Sequence, residues 1–410
     1  MKIVDKITEE FFADTQDVTE VVKAIISDVK INGDKAVREY TKRFDGIDLE
    51  NCQLSETEIE NAVNSLDKEV LDAINFAVGN VEEFAKAQLG SVKNLVMKTN
   101  GATLGHKLIP IKKVGCYIPG GNYPLPSTAI MTIVPAKVAG VKEIIAVSPK
   151  AQPVTIAAAK IAGASKIYTI GGVQAIAALA YGTENIPQVD KIVGPGNKYV
   201  ACAKKLVYGD CGIDFVAGPS EVLVVADDSA NPEFVAADLL AQCEHDKDAR
   251  AYLLCFNEEF AKKVDEHAQN FLNTLKTSEI ARISYEKSTA YVVKSVEEAA
   301  EISDKKAPEH LELCLNNVNE AVDKFSNYGS LFIGNYSAEV FGDYVSGTNH
   351  TLPTSRAARY TGGLSVFDYV KIQTFQQIEN TAEYAKYASI LAEQEGLFAH
   401  KLASDVRKQN

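Results

Sequence analysis

The chain has 410 residues, of which 46% are hydrophobic, and a formal net charge of −13. A chain of this length and composition can bury large cores, and its length predicts two or three domains. Lys and Arg are scattered along it and are outnumbered by Asp and Glu, 42 to 55. This balance argues against nucleic acid as a partner, because phosphate backbones are bound by basic stripes that displace counterions.

Neither export nor membrane insertion is indicated. The first twenty residues carry acids where a signal peptide would need a basic start and an apolar run. The most apolar long stretch, residues 125–140, is interrupted by Pro135 and Lys137 and is too short to span a bilayer. The seven cysteines are widely spaced and form no CxxC pair, which favours a reducing compartment over a disulfide framework. We therefore expect a cytoplasmic protein with no membrane contact.

The spacing of apolar residues predicts the elements in chain order. After a short N-terminal arm, residues 15–90 follow helical spacing. From residue 112, short β-branched runs alternate with helical runs, which is typical of parallel βαβ units. A second alternating set begins after residue 220, and one continuous large sheet is the alternative to two separate ones. From residue 368 the chain is polar and helical, and one face of this tail needs a partner surface.

These patterns predict an α/β fold with two Rossmann-like parallel βα units, a helical N-terminal lead-in and a small helical C-terminal tail. The predicted parts are an arm (1–14), a larger α/β domain (15–112 plus 221–364), a Rossmann-like domain (113–220) and a helical C-terminal segment (365–410).

Three strand-to-helix turns of the first βα set are rich in glycine, at residues 117–121, 170–174 and 193–197. Such a turn brings backbone N–H groups and a helix N-terminus close to a pyrophosphate or an amide. Glycine-rich turns also occur where tight geometry is the only requirement. The sequence contains neither a GxGxxG motif followed by a ribose-binding acid nor a P-loop, so the turns favour a nucleotide without naming it.

Four of the six histidines lie in short polar clusters, at residues 242–246, 308–311, 342–350 and 395–400. Gln242 and His245 are three apart near the end of a predicted helix, so their side chains share one face. Asp343 with either His350 or His400 would complete a zinc site that keeps a position open for substrate. The alternative is a set of hydrogen-bonded core histidines.

On donor strength alone, Glu244 or Asp246 would be a better zinc ligand than Gln242, because a neutral carboxamide oxygen binds zinc more weakly than a carboxylate.

Adjacent Glu309 and His310 suit proton transfer. A histidine with a pKa near ~6.5 can accept an alcohol proton at neutral pH, and a neighbouring carboxylate can deprotonate a water. The alternative is a helix start in which Glu309 only complements the helix dipole.

Cys116 stands before a glycine-rich turn, where a nucleophilic thiolate could lie, but its own segment has no base to lower its pKa.

Six segments resemble histidinol dehydrogenase, in the same order and with compatible spacing over residues 117–400. They are VGPGNKYV (193–200), AGPSEVLV (217–224), QCEHD (242–246), APEHLEL (307–313), GDYVSGTNHTLPT (342–354) and EGLFAH (395–400). Members of this family oxidise L-histidinol to L-histidine, the last steps of histidine biosynthesis, in two NAD-dependent steps through L-histidinaldehyde, with zinc holding the substrate. Val216 and Cys243 depart from residues common in the family, and neither has an expected role.

The resemblance implies a role for each site residue. His310 is the base for the alcohol and Glu309 activates water. The implied zinc ligands are Gln242, His245, Asp343 and His400. The implied substrate contacts are Ser220, Gln242, His245, His310, Asp343, His350, Glu395 and His400. The implied NAD contacts are Tyr117, Gln174 and Asn197. Instead of contacting NAD, Tyr117 could be a packed aromatic residue. Instead of contacting the substrate, His350 could hold its loop in place.

The resemblance also implies a homodimer in which the C-terminal segment of one subunit completes the site of the other. Two further classes fit the residues alone. One is a zinc hydrolase in which Glu309 or His310 activates metal-bound water, and the other is a two-lobed protein that binds a small molecule without catalysis. Zinc-dependent and substrate-dependent reduction of NAD separates the three.

Overall fold

The computed structural model describes residues 1–4, 17–48, 51–120, 123–216 and 218–408. Residues 5–14 of the predicted arm, together with Gly121 and Ala217 of the motifs above, lie outside these ranges. The predicted helical lead-in is confirmed by α1 (Thr19–Asp45), α2 (Glu56–Asn64) and α3 (Lys68–Gly90). Helix α2 begins with a capping box in which Ser55 and Glu58 each accept the other's backbone N–H.

The first parallel sheet has five strands in the order β6-β5-β4-β7-β8. They are β4 (Lys113–Tyr117), β5 (Glu143–Val147), β6 (Lys166–Tyr168), β7 (Lys191–Val193) and β8 (Gly212–Ile213). The helices between them are α4 (Pro126–Ala139), α5 (Pro153–Ala162), α6 (Gly172–Tyr181) and α7 (Lys198–Val207). Helix α4 is buried along most of its length, which explains its nearly continuous apolar sequence. Within the described ranges, no helix is both long and apolar enough to cross a membrane.

The second parallel sheet has six strands in the order β1-β11-β10-β9-β12-β13. They are β1 (Lys2–Val4), β9 (Glu221–Ala226), β10 (Arg250–Cys255), β11 (Thr289–Val292), β12 (His310–Cys314) and β13 (Ser330–Ile333). Its helices are α8 (Pro232–Cys243), α9 (Glu258–Leu272), α10 (Ser278–Tyr285), α11 (Val296–Lys306), α12 (Val318–Ala321) and α13 (Glu339–Tyr344). The two parallel sheets are separate, so the prediction of two βα units is confirmed and the alternative of one continuous sheet is wrong.

A third sheet was not predicted from the sequence. Strands β2 (Leu95–Thr99), β3 (Ala102–Pro110) and β14 (Val370–Ile378) form it in the antiparallel order β14-β3-β2. The prediction that the chain is helical from residue 368 is therefore wrong for β14, although α14 (Ala382–Gln394) and α15 (Phe398–Asp405) follow it. Strand β14 is mostly exposed, and its apolar residues, Val370, Ile372, Phe375 and Ile378, do not keep a strict alternation. It pairs with β3 along nine residues.

A buried ion pair anchors the glycine-rich turn that follows β7. Lys204 and Asp214 pair with almost no exposure. The Lys204 ammonium also donates to the carbonyl oxygen of Gly194 (2.7 Å), and the Gly194 N–H donates to Asp214 (2.8 Å). Both polar groups of Gly194 are thus fixed by buried charges, and the turn enters α7 in one defined conformation.

Replacing Gly194 by Ala should destabilise the protein more than replacing Gly209 by Ala. Both glycines have positive φ, 114° and 110°, so each substitution strains the backbone by about 1–2 kcal/mol. A Cβ at Gly194 would also lie 2.2 Å from the carbonyl oxygen of Tyr117, whereas at Gly209 it meets no described atom within 4 Å. Thermal or denaturant unfolding should give a free-energy loss about 2 kcal/mol larger for Gly194→Ala. Equal losses would show that the contact with Tyr117 does not constrain the turn.

Candidate active site

The two parallel sheets border a cleft of about 1330 Å³. The turns after β4, β6 and β7 form one wall, and residues next to β9 and β12 and on α8 and α13 form the other. Within the described residues, the cleft is lined by all the predicted site residues except Glu395 and His400. The site residues that line it are Tyr117, Gln174, Asn197, Ser220, Gln242, His245, Glu309, His310, Asp343 and His350.

Glu395 and His400 lie elsewhere on the chain. Glu395 caps the end of α14, His400 lies on α15, and both side chains are exposed. A single chain does not bring them to the other site residues. Their predicted roles therefore need a second copy of the chain.

Helix α8 ends at Cys243, so the prediction that Gln242 and His245 share one face of a helix is wrong for His245, which lies two residues beyond that end. Gln242 is in the last turn of α8, and the N–H of His245 donates to the carbonyl oxygen of Gln242 (3.3 Å). The Gln242 side chain is fully buried, whereas His245 is open to the cleft. The helix predicted to end near Gln242 is confirmed as α8, and Asn231 caps its N-terminus by accepting from the N–H of Glu233.

The candidate metal cluster is formed by His245, Glu339 and Asp343. One ligand atom from each lies within 4.8 Å of the others. Glu339 was missed in the sequence analysis. Its signal is its position four residues before Asp343, which puts both carboxylates on one face of α13. Among the described residues, Asp343 Oδ1 is buried without a hydrogen-bond partner. Because a buried carboxylate oxygen needs a partner, this unpaired atom fits a cation or a cationic substrate.

Glu309 and His310 are held by β9. His310 is the first residue of β12, between Val222 of β9 and Ser330 of β13. The alternative of a helix start at Glu309 is therefore wrong. His310 Nδ1 lies 3.2 Å from the carbonyl oxygen of Glu221, and Glu309 Oε2 accepts from the Glu221 N–H at 2.9 Å.

This contact determines which His310 nitrogen can act as a base. When Nδ1–H donates to the Glu221 carbonyl oxygen, Nε2 of the neutral ring is the free acceptor. Nε2 lies 3.5 Å from Asp343 Oδ1, which is long for a hydrogen bond. Nε2 is thus buried beside the candidate metal cluster, with no hydrogen-bond partner among the described residues.

Burial and neighbouring charges shift the pKa values of these groups. Burial raises the pKa of Glu309 from its ordinary 4.5 to about 8, although His310 and the Glu221 N–H act against the increase. Burial disfavours charge on His310, but the carboxylates of Glu339, Glu309 and Asp343 raise its pKa above the ordinary value. Desolvation by the surrounding protein lowers the pKa of His245. Glu309 therefore titrates much closer to neutral pH than an exposed carboxyl group does.

His350 fixes a loop. Its Nδ1 contacts the carbonyl oxygen of Asp343 (2.8 Å) and its Nε2 contacts the hydroxyl of Thr128 on α4 (3.2 Å). The neighbouring Asn349 donates to the carbonyl oxygen of Met131 (2.7 Å). Because both ring nitrogens of His350 contact protein, the loop-anchor alternative has direct support, and His350 lies outside the candidate metal cluster.

The opposite wall carries the predicted cofactor residues. Asn197 caps α7 by accepting from the N–H groups of Tyr199 (3.0 Å) and Val200 (3.2 Å). The buried hydroxyl of Tyr117 accepts from the Gly172 N–H at the start of α6 (3.1 Å). Among the described residues, the buried amide of Gln174 has no partner for either its nitrogen or its oxygen. An unpaired amide beside two helix N-termini fits a ligand with phosphate or amide groups.

Cys116 is excluded as a nucleophile by its position. Its thiol is fully buried against the carbonyl oxygen of Thr132, and burial raises its pKa to about 12.

Comparison with known proteins identifies the family. A sequence model of the histidinol dehydrogenase family matches residues 9–408. Histidinol dehydrogenase of Methanocaldococcus jannaschii is 46% identical over 412 residues, covering 99% of this chain and 95% of that protein. The enzyme of Aquifex aeolicus is also 46% identical, covering 95% of this chain and 92% of its own. The crystal structure of histidinol dehydrogenase from Elizabethkingia anophelis has a TM-score of 0.93 at 38% identity, covering 99% of this chain and 98% of its own.

The fold and the cleft thus define an α/β oxidoreductase. The chain belongs to the histidinol dehydrogenase family, and the resemblance drawn from the six sequence segments is confirmed. Because this is a family of oxidoreductases, the two alternative classes, a zinc hydrolase and a non-catalytic binding protein, are excluded.

The metal-free protein should lose stability as pH rises. A carboxyl whose pKa is raised from 4.5 to about 8 by folding contributes stability that is complete below 4.5 and lost as pH rises through about 8. Glu309→Gln stays uncharged. In chelator-treated protein, the variant should therefore match wild type near pH 5 and exceed its free energy of unfolding by on the order of 3 kcal/mol above pH 8. If the difference in free energy of unfolding between the two proteins does not change with pH, burial does not raise the Glu309 pKa.

Proposed function

We propose that this chain oxidises L-histidinol to L-histidine through L-histidinaldehyde, with two NAD reduced per product. The observation that carries the proposal is the position of Glu309 and His310. They lie on the wall of the cleft that carries the candidate metal cluster, opposite the wall that carries the helix N-termini. Two bases side by side match a reaction with one alcohol oxidation and one oxidation that consumes water.

We infer that Gln242, His245 and Asp343 hold zinc, with His400 from a second copy. The set offers a carboxamide oxygen, an imidazole nitrogen and a carboxylate, and the unpaired Asp343 Oδ1 supports a cation here. When bound, zinc would supply a positive template that fixes the substrate's imidazole and amine. Glu395 supports binding of the cationic substrate through its charge.

The wall formed by residues 113–220 is proposed to bind NAD. Tyr117 and Asn197 shape the N-terminal ends of α6 and α7, and the unpaired Gln174 amide can pair with a polar group of the cofactor. When bound, NAD would supply the hydride acceptor for both oxidations.

In the alcohol step, His310 Nε2 accepts the hydroxyl proton as hydride leaves the carbinol carbon. When the ring is neutral, the hydrogen bond from Nδ1 to the Glu221 carbonyl oxygen leaves Nε2 as the acceptor for this proton. The surrounding carboxylates raise the His310 pKa and so stabilise the imidazolium that results.

In the aldehyde step, Glu309 deprotonates a water that adds to the aldehyde carbon, from which the second hydride then leaves. Burial makes Glu309 a stronger base than an exposed carboxylate, because its pKa is raised to about 8. The Glu221 N–H fixes one oxygen of Glu309 and leaves the other free for the water.

The C-terminal tail is proposed to complete the site of a second copy. Its helices α14 and α15 carry exposed large apolar side chains, namely Tyr384, Tyr387, Ile390, Leu391, Phe398 and Leu402. Val340, Phe341 and Tyr344 of α13, beside the candidate metal cluster, are also exposed. Apolar patches of this kind on both elements support their burial between subunits.

The purified protein should contain about one zinc per chain and convert L-histidinol to L-histidine with about two NAD reduced per product. Metal analysis and product quantification by chromatography measure both, and chelation should abolish turnover. Activity that survives complete metal removal, or a reaction that prefers NADP and ends at the aldehyde, would refute the assignment.

Substitutions of Glu309 and His310 should each slow a different one of the two oxidation steps. Glu309→Gln should slow oxidation of supplied histidinaldehyde by about 10²-fold or more and the alcohol step less, because only the former needs an activated water. His310→Ala should damage the alcohol step. Single-turnover NAD reduction with each substrate tests this, and equal loss in both steps for both variants would mean that the pair acts as one unit.

If each active site contains residues of two subunits, mixed dimers of two inactive variants should regain activity. His310→Ala and His400→Ala should each be nearly inactive. On co-expression, about half the dimers are mixed, and each mixed dimer has one intact and one doubly damaged site, so activity should return to roughly a quarter of wild type. Co-expression of two differently tagged His310→Ala chains is the control and should recover nothing. If purified mixed dimers are also inactive, the tail serves its own subunit.

A further inference from the structure

We propose that Asp45 selects NAD over NADP, because its carboxylate accepts hydrogen bonds from the ribose hydroxyls at the adenosine end of the cofactor and repels a 2′-phosphate. The inference rests on the NAD wall of the proposed function. Asp45 is the last residue of α1 and is partly buried, and it lines the cleft together with Tyr117 and Lys150. The sequence analysis assigned it no role, because it lies far from the glycine-rich turns along the chain.

The packing of the first parallel sheet places Asp45 away from the two candidate bases. Helices α4 and α5 cover one face of this sheet, and α1, α6 and α7 cover the other. The wall that carries the bases meets this domain at α4, where His350 contacts Thr128 (3.2 Å). The nicotinamide must reach the bases, so a dinucleotide that crosses the carboxyl ends of the strands extends its adenosine toward α1. Phe44, which also lines the cleft and is 52% exposed, offers an aromatic face to the adenine there.

Within the described residues, the protein supplies no hydrogen bond or ion pair to the Asp45 carboxylate. The two cations in the last turn of α1 are engaged elsewhere, since Lys42 pairs with Asp48 (2.5 Å) and the Arg43 guanidinium lies over the Phe44 ring (5.4 Å). An acid at the C-terminal end of a helix is also disfavoured by the helix dipole. A partly buried acid with these costs and no partner fits a ligand that donates hydrogen bonds.

The first wall has one other acid among the described residues that line the cleft, Asp17. It lies at the opposite end of α1, and its carboxylate already accepts from the Thr19 N–H (2.9 Å). Asp45 is therefore the acid of this wall that is available to a cofactor.

Lys150, in the turn after β5, supplies the opposite charge. Burial raises the pKa of Asp45 and the Lys150 ammonium lowers it, so the two charges interact, although they form no described ion pair. In dinucleotide-binding folds an acid beside the adenosine ribose binds its 2′-hydroxyl, whereas a cation there accommodates a 2′-phosphate. The wall thus holds a group of each kind, and the charge of Asp45 decides against the phosphate.

The test compares NAD and NADP in the zinc-loaded enzyme with L-histidinol as substrate. Asp45→Asn removes the charge and keeps the shape, so kcat/KM for NADP relative to NAD should rise on the order of 100-fold. The KM for NAD should rise about 10-fold, because a charged hydrogen bond is lost, while kcat with NAD stays within about twofold of wild type. Asp48→Asn removes a nearby acid that does not line the cleft, and this matched control should keep the wild-type ratio.

Two further measurements separate selectivity from damage to the fold. Asp45→Asn should unfold at or above the wild-type temperature, because it removes an unfavourable charge from the helix end. Calorimetric titration with NADH and NADPH should show the same change of preference without turnover. Asp45→Ser, a second neutral variant with a smaller side chain, should change the preference in the same direction.

The gained use of NADP should depend on Lys150. Lys150→Met should remove most of it in the Asp45→Asn background, and should change the NADP to NAD ratio of the wild type by less than about threefold. An unchanged ratio in both neutral variants of Asp45, an equal change in Asp48→Asn, or a gain that persists without Lys150 would overturn the proposal. Wild-type protein that binds neither NADH nor NADPH would instead refute the proposed function.

Discussion

The cleft depends on the burial of several carboxylates around a single histidine. Glu309, just before β12, and Glu339 and Asp343 of α13 surround His310, and the only buried lysine paired beside them in the described chain is Lys306, which binds Glu221 at 2.6 Å. Buried charge of one sign is costly unless it is compensated. A cation bound at the candidate metal cluster would supply that compensation.

Each of the two parallel sheets contributes a different set of groups to the cleft. One sheet contributes helix N-termini and a turn fixed by the Lys204 and Asp214 ion pair, which suit a nucleotide. The other contributes the candidate bases and the candidate metal cluster. Glu221 links the two candidate bases, because its N–H donates to Glu309 while its carbonyl oxygen contacts His310. A single residue of β9 therefore holds both side chains in place.

Much of this architecture was predictable from sequence, because buried helices and parallel strands leave strong periodic patterns. Helices α1 and α3 and the two βα sets follow from apolar spacing. Strand β14 was not predicted, because its apolar residues break the two-residue alternation after Ile372 and its pairing partner β3 is distant in sequence. Glu339 looks like an ordinary acid in the first turn of a short helix, and only the fold shows that it is buried against Gln242. The roles of Glu395 and His400 were predicted from resemblance alone, and one chain leaves both exposed.

The claim that a cation neutralises the buried acids is tested most directly by anomalous diffraction at the zinc edge from crystals of the zinc-loaded protein. One peak per cleft is expected, within about 2.0–2.3 Å of His245 and Asp343, with the Gln242 oxygen toward it and the partner subunit's His400 beside it. A peak at another position, or no peak in protein that is fully active, would contradict this account.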